Sequence, residues 1–417
     1  MMGPLSGLKV LELAHIMSGP TAGMLLADLG ADVIKVEKVP DGDDTRRFAP
    51  PTVNGEASAF MMMNRNKRGI ALDLKQASAR DALKRMIGGC DIVIENFRVG
   101  TMERLGLGYE ALREAHPGLI YCSISGYGRT GPAAGKGGFD LIAQGITGLM
   151  RITGEPGGAP TKVGSPVTDI NAGMLAALGI VSAYVHRLRT GQGQLVDTSL
   201  LEAGVMQTFW QSAIFLGSGR ELGALGSAHP LTAPYQAFET ADGWITVGGS
   251  NQANFVRLLD VLGLPALAAD PRFADNAARM ANLAALVEVL TARFKARPAR
   301  EWLEALDAAG VPAGPVLSIA QMLGHPQVRA RAMVVETRHP RAGVTQAIGC
   351  PIKLSATPGA IARAAPLFGQ HTCEVLRECG FSEREIAALL DAGAAVQAAG
   401  EADQRLQNTR SNSTSPS

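Results

Sequence analysis

GLKVLELAHIMSGPTAGMLLADLGADVIKVEK, Gly7 to Lys38, reads as strand, turn, helix, strand. Gly7 to Leu13 is a short apolar run of buried-strand character. Ser18 to Pro20 is a helix-start signal, Ala22 to Leu29 has helical spacing, and Gly30 stops it. Asp32 to Glu37 is a second apolar strand. Such an order within roughly 30 residues is a βαβ unit with a right-handed crossover. The turn holds Gly19 and Gly23 but lacks full GxGxxG spacing. A helix N-terminus beside a glycine turn nonetheless suits a phosphate.

Outward from this unit the alternation continues. A helix is expected over Ala77 to Ile87, a strand over Asp91 to Phe97 and another over Gly118 to Gly128. Alternating strands and helices predict a parallel α/β sheet, with ligands at the carboxyl ends of the strands. The turn after Leu13, the segment after Glu37 and the segment from Asn96 all fall there. GYGRTG, Gly126 to Gly131, matches a dinucleotide fingerprint letter for letter, but Pro132 follows and no helix opens. Its glycines read instead as backbone passing close to a ligand or a wall. Lys35, Lys38, Arg46 and Arg47, then Arg65, Lys67 and Arg68, make a local basic cluster. Two readings stay open for it: an exposed charged face, or a dock for a multiply phosphorylated ligand.

The second informative stretch is VGSPVTDINAGMLAALGI, Val163 to Ile180. Asp169 precedes an Ala-rich helical pattern from Ala172 and sits at a candidate N-cap, where it either only caps or does chemistry. The helix runs toward Leu188. A strand at Gln194 to Asp197 follows, then a helix from Ser199 with Glu202 at capping-box spacing. Gly217 to Pro234 reads as a linker. Asp242-Gly243 marks a hairpin, and Phe255 to Leu306 is helical with breaks near Pro265 and Pro298. The expected parse is a large α/β domain over 1–216, a linker over 217–233 and a small α+β domain over 234–325. The chain then returns to the large domain over 326–398 and ends in a disordered tail over 399–417.

Composition excludes several function classes. Hydrophobic residues make up 46% of 417 and charged residues 18%, so a large core is affordable and disorder is not expected. Lys plus Arg is 39 against 38 for Asp plus Glu, which gives no general case for nucleic acid or an anionic membrane. The five cysteines have no CxxC pair, and His15, His229 and His371 have no ligand spacing, so neither a disulfide framework nor a metal is expected. No signal-like or spanning apolar run stands out, and the expectation is a soluble, cytoplasmic protein. His15, on the first turn, is read as making a satisfied local hydrogen bond.

Several long motifs occur in fixed order. LGADVIKVEK, Leu29 to Lys38, is followed by Gly42-Asp43 and Arg46. NRNKRGIALDLK spans Asn64 to Lys75, and ENFRVGTMERLGLGYEAL spans Glu95 to Leu112. SGYGRTGP, Ser125 to Pro132, precedes GGFD, Gly137 to Asp140, and then DINAGM, Asp169 to Met174. Over about 5–395 the chain resembles the class III CoA-transferases, the group of formyl-CoA transferase and carnitine CoA-transferase, whose fold α-methylacyl-CoA racemase shares.

The resemblance implies coenzyme A or its acyl thioester as substrate, no tightly bound cofactor, and a Rossmann-like large domain in an interlocked homodimer. Its implied CoA contacts are Met17, Ser18, Lys38, Leu72, Asp73, Leu74, Lys75, Asn96, Phe97, Arg98, Arg104, Lys136, Gly137, Gly138 and Phe139. Lys38 and Arg104 would pair phosphates, and Phe97 either covers the ligand or is an ordinary core aromatic. Asp169 falls at the family's catalytic aspartate, which forms a mixed anhydride and an aspartyl-CoA thioester. Gly248, Gly249 and Ser250 match a substrate loop whose N–H groups, at Gly248 and Gly249, would face the developing oxyanion. Racemases of this fold carry a proton-moving histidine where this chain has Phe139, so racemisation is the alternative rather than the lead. Met17 stands where formyl-CoA transferase has a glutamine, which disfavours oxalate and formate. Ser227 to Gly248 and LFGQHT, Leu367 to Thr372, look most like members acting on succinyl-CoA and other dicarboxylates. A third reading is a nucleotide-binding regulatory or NAD-dependent protein with Glu37 on the ribose.

Overall fold

The computed structural model describes residues 3–398; the tail from 399, expected to be disordered, lies outside them. By contacts the chain divides into two compact units. The larger takes in 3–147, 164–207 and 327–398, and the smaller 148–163 and 208–326. This grouping differs from the linear parse in drawing 148–163 and 208–233 to the smaller unit.

The larger unit is built on a seven-stranded sheet. In spatial order its strands are Ala395–Val396, Arg68–Leu72, Asp32–Lys38, Lys9–Glu12, Ile92–Glu95, Ile120–Ser125 and Leu195–Ser199. All neighbours pair in parallel except the edge strand Ala395–Val396, which runs antiparallel to Arg68–Leu72. Because both faces are covered, Ile92–Glu95 and Ile120–Ser125 are buried along their whole length. Leu11, Val93 and Tyr121 pack into one core with the helix Ala77–Ile87. Val10, Ile92, Ile94 and Cys122 pack into the other with the helices Ser18–Asp28 and Val167–Thr190. Chain order reverses on either side of Lys9–Glu12: the next strand lies on one flank and Ile92–Glu95 on the other. That is a topological switch point, where such sheets open a crevice at their carboxyl ends.

Much of the basic cluster lies inside, while Lys38 and Arg47 stay at the surface. Lys35 and Lys67 are 0% exposed and Arg65 is 2% exposed, so neither the exposed-face nor the phosphate-dock reading holds for them. Lys35 Nζ sits 3.1 Å from Glu12 and 2.8 Å from Asp43, and Lys67 Nζ sits 2.7 Å from Glu12. Arg65 pairs with Asp28 at 2.6 Å, Arg46 with Glu37 at 2.7 Å, and Arg68 with Asp32, Glu374 and Glu378. Charges taken from water must be paired, and these are. Burial opposes the charge on Lys35, but Asp43, Glu12 and Glu37 together hold its ammonium well above the usual range. Burial pushes Lys67 down to about 8. The turn glycine Gly23 belongs to this lattice rather than to a phosphate site, because a Cβ there would overlap the Glu12 carboxylate.

The long helix Val167–Thr190 starts two residues ahead of Asp169, with Pro166 at the N-cap. Asp169 is therefore in the first helical turn and not at the cap. The cap comes from elsewhere: Asp140 Oδ1 accepts from Thr168 N at 3.0 Å and from Thr168 Oγ1 at 2.7 Å. Small residues let this helix press on Ser18–Asp28; a Cβ on Gly173 would lie 2.6 Å from Ser18 O. Its inner face buries Ala172, Ala176, Ile180 and Ala183, while Met174, Leu178, Val185 and Leu188 are exposed. By length and composition alone it passes as a membrane span, yet its inner face is part of the sheet's core.

In the smaller unit, Tyr235–Glu239 and Trp244–Gly248 form the expected hairpin, and Ala313–Pro315 adds a third antiparallel strand. The helices Gln252–Leu262, Leu283–Phe294 and Ala299–Ala308 cover it around Phe238, Phe255, Phe294 and Trp302. The helix Phe209–Ser218 has no buried residue although it carries Phe209, Trp210, Phe215 and Leu216.

Candidate functional site

At the switch point the larger unit opens a cleft of about 250 Å³. Its walls are His15 to Ser18 after the first strand, Asn96 to Val99 after Ile92–Glu95, and Ser125-Gly126 after Ile120–Ser125. Lys136 to Phe139, Ile124, Leu200 and Asp169 complete it. Of the three loops expected at the strand ends, two line the cleft. The segment after Glu37 folds into the buried lattice instead.

The first wall is held tightly. Asn96 Oδ1 accepts from His15 N at 2.8 Å, and Asn96 Nδ2 donates to His15 O at 2.8 Å and to Ser18 Oγ at 3.2 Å. Ile16 has φ of 63°, a left-handed conformation costly for a β-branched residue. Its N–H donates to Asp43, both oxygens lying at 3.3 Å. The His15 bonds expected locally are thus made by its backbone. Its ring packs edge-on against Phe97 with centroids 4.8 Å apart, and burial, then the Lys35 charge, holds its pKa below the ordinary value.

The opposite wall depends on two glycines. A Cβ on Gly126 would lie 2.6 Å from Gly138 Cα, so the two backbones cross with no room for a methyl. This is the close approach read from GYGRTG. It sets Lys136 and Phe139 at the cleft, the Phe139 ring 65% exposed. Arg98 and Lys136 are exposed, and no described ion pair or side-chain hydrogen bond includes either. Among the described residues the Arg104 side chain bonds Thr101 Oγ1, at 3.0 Å, and it does not line the cleft.

Asp169 is half-buried, and none of the described hydrogen bonds or ion pairs includes its carboxylate. Burial, then the nearby Asp140 charge, raises its pKa to about 7. A carboxylate left unpaired in a cleft wall is basic for its kind and therefore a better nucleophile once ionised.

The other expected contacts are dispersed. Lys38 Nζ is 2.8 Å from Asp44 and does not line the cleft. Leu72 is fully buried in the core, so its side chain reaches no ligand. Asp73 accepts from Lys75 N at 3.1 Å, Leu74 packs on the core, and Lys75 is exposed. Gly248 N donates to Pro312 O at 2.8 Å, so that N–H is spent and cannot face an oxyanion. Gly249 is wedged near Leu258 and Pro234, and Ser250 O accepts from Arg279 at 3.3 Å, all within the smaller unit. Glu37 is 1% exposed and accepts from Asp43 N and from Arg46, which holds it inside the lattice and out of reach of a ribose, against the NAD reading. Among the described residues no group of three His, Cys, Asp or Glu is placed to hold a metal. Sequence reasoning missed Asp140 as the cap of the long helix. Its only signal was a place two residues after Gly138.

A profile of CoA-transferase family III matches residues 5–372. The chain is 41% identical over 387 residues to succinate–glutarate CoA-transferase of Agrobacterium fabrum, covering 91% of this chain and 97% of that one. It is 38% identical over 395 residues to human succinyl-CoA:glutarate CoA-transferase, covering 94% and 90%. The crystal structure of a CaiB/BaiF-family protein from Brucella suis superposes with a TM-score of 0.81 at 40% identity, covering 91% of this chain and all of that one.

Proposed function

This chain belongs to CoA-transferase family III, and from that premise we propose that it transfers coenzyme A from an acyl-CoA thioester to a free carboxylic acid through Asp169. An Asp169 oxygen attacks the thioester carbonyl and expels CoA thiolate, leaving a mixed anhydride. The thiolate returns to the aspartyl carbonyl, which frees the first acid and leaves an aspartyl-CoA thioester. The acceptor carboxylate attacks that carbonyl and expels the thiolate, giving a second mixed anhydride; the thiolate then attacks the acceptor's acyl carbonyl, which forms the new thioester and regenerates Asp169. The observation that carries this is the unpaired, half-buried Asp169 carboxylate in a cleft bordered by unpaired Arg98 and Lys136. Mass spectrometry of protein quenched with hydroxylamine or borohydride after exposure to acyl-CoA tests it. Modification at Asp169 is expected, and its absence removes the mechanism.

The cations explain how CoA stays near enough to return. Arg98→Ala or Lys136→Ala is expected to raise KM for the thioester about tenfold each, the worth of one charge-assisted contact. Lys38→Ala, whose ammonium already has Asp44, should change it by less than about twofold.

Attack requires the ionised carboxylate. The acidic limb of kcat/KM should therefore rise with pH through about 7 and level off above it. Asp140→Asn keeps an acceptor for Thr168 but removes the like charge, and should move that limb to lower pH.

The pair of acids proposed is succinyl-CoA with a second dicarboxylate, supported by the names of the relatives, and a donor–acceptor screen read by mass spectrometry would identify it. Racemisation has less support, because Phe139 moves no proton. The expected assembly is a homodimer. What supports it is the exposed apolar stripe Met174, Leu178, Val185, Leu188 and the uncovered helix Phe209–Ser218. Light scattering at the mass of one chain would overturn it.

A further inference from the structure

A second pocket, of about 230 Å³, lies in the larger unit between the strand Val334–His339 and the segment 361–371. It shares no lining residue with the catalytic cleft. Its polar lining is Arg338, Arg363, His371, Gln370, Thr337 and Glu336.

The pocket is built from fixed parts. Asn66 Oδ1 accepts from Ala362 N at 2.8 Å and from Arg363 N at 3.0 Å, and Asn66 N donates to Arg363 O at 2.9 Å. That residue, itself at φ of 63°, pins one wall. His371 is locked to the sheet on two sides: its N–H donates to Gly69 O at 2.8 Å, and its Nδ1 accepts from Gly69 N at 3.0 Å. With Nδ1 accepting, the neutral ring carries its proton on Nε2, which appears in no described hydrogen bond. Burial lowers the ring's pKa below the ordinary histidine value; the Glu374 charge opposes this, and the Arg363 and Arg68 charges add to it. Gln370 Oε1 is used by Leu367 N at 2.9 Å, which turns its amide donor outward from that bond.

Neither Arg338 nor Arg363 is in a described ion pair, whereas nearby Arg68 holds Asp32, Glu374 and Glu378. Glu336 is the one carboxylate lining the pocket, and no described ion pair includes it. Two guanidiniums and an imidazole N–H outnumber the single carboxylate, Glu336, around this cavity, so its lining carries net positive charge. That is the chemistry of oxyanion recognition.

The geometry points to a small-oxyanion site, for a phosphate or a carboxylate, formed by Arg338, Arg363 and His371 outside the catalytic cleft. An anion bound there would bridge the hairpin Val334–Ile348 to the helix Thr372–Glu378, and so tie the last part of the chain to the sheet edge.

The test is calorimetry on the full-length protein with its cleft first saturated with CoA, titrating inorganic phosphate and, separately, succinate. The CoA titration comes first; its failure counts against the transfer reading and not against this pocket. Saturation by phosphate alone assigns a phosphorylated ligand, and saturation by succinate alone a carboxylate. In either case the Arg338→Gln/Arg363→Gln variant should bind at least about tenfold more weakly, with CoA affinity and exchange rate unchanged within about twofold. The proposal is overturned if neither anion saturates below about 20 mM, or if the double variant binds as wild type does. It is equally overturned if the double variant changes the sedimenting mass, since the arginines would then belong to a contact between copies.

Discussion

Asp169→Asn is expected to lower CoA exchange by about 10⁴-fold or more, because an amide forms neither the anhydride nor the thioester and no second carboxylate lines the cleft. CoA binding should survive, since Arg98 and Lys136 are untouched. The same variant should be more stable than wild type at alkaline pH. Asp169 titrates near 7 in the folded chain and near 3.8 unfolded, so the native state keeps its proton longer. The cost of ionising it is absent below the unfolded value, grows between the two, and is complete above about 7. Asparagine avoids that cost, a gain of about 2–4 kcal/mol at pH 8 that falls below about 1 kcal/mol by pH 4. Exchange assays and urea unfolding at the two pH values read both effects. Near-normal turnover would defeat the nucleophile, and equal stability gains at both pH values would defeat the burial argument.

Glu12→Gln should cost about 3–5 kcal/mol, because it leaves Lys35 and Lys67 buried around a neutral amide. Lys67→Met removes one cation while Glu12 keeps Lys35, and should cost less. The two variants compared by urea midpoint separate loss of pairing from loss of packing. A larger loss in the methionine variant would show that Glu12 is not the hub.

The parallel sheet was legible because its strands are apolar on both faces and alternate with helices of regular spacing. The expected contacts at Met17, Ser18, Asn96 to Arg98 and Lys136 to Phe139 line the cleft with Asp169, whereas Lys38, Leu72 to Lys75 and Arg104 do not. What could not be read was pairing. A run such as Arg65, Lys67, Arg68 looks the same whether it faces water or carboxylates, and here the carboxylates sit in distant segments. Glu12 is 55 residues from Lys67, and Asp28 is 37 residues from Arg65. Asp169 was placed one turn early for the same reason, since its helix borrows a cap from Asp140, 28 residues before Thr168. Gly248 has the composition of a substrate loop, yet its amide is committed to Pro312. Local spacing predicts where a residue lies along an element; it does not predict which donors a later segment will consume.

The lattice of Glu12, Lys35, Asp43 and Lys67 also holds up one wall of the catalytic cleft. Lys35 donates to Ala14 O at 2.9 Å, Lys67 donates to Pro20 O at 2.9 Å, and Asp43 takes the Ile16 N–H. Dissolved counterions do not penetrate to such dry pairs, but they do screen the solvent-facing cations of the rim. Raising ionic strength should therefore weaken thioester docking while leaving that wall's shape alone, and a kinetic series in potassium chloride would read the rim by itself.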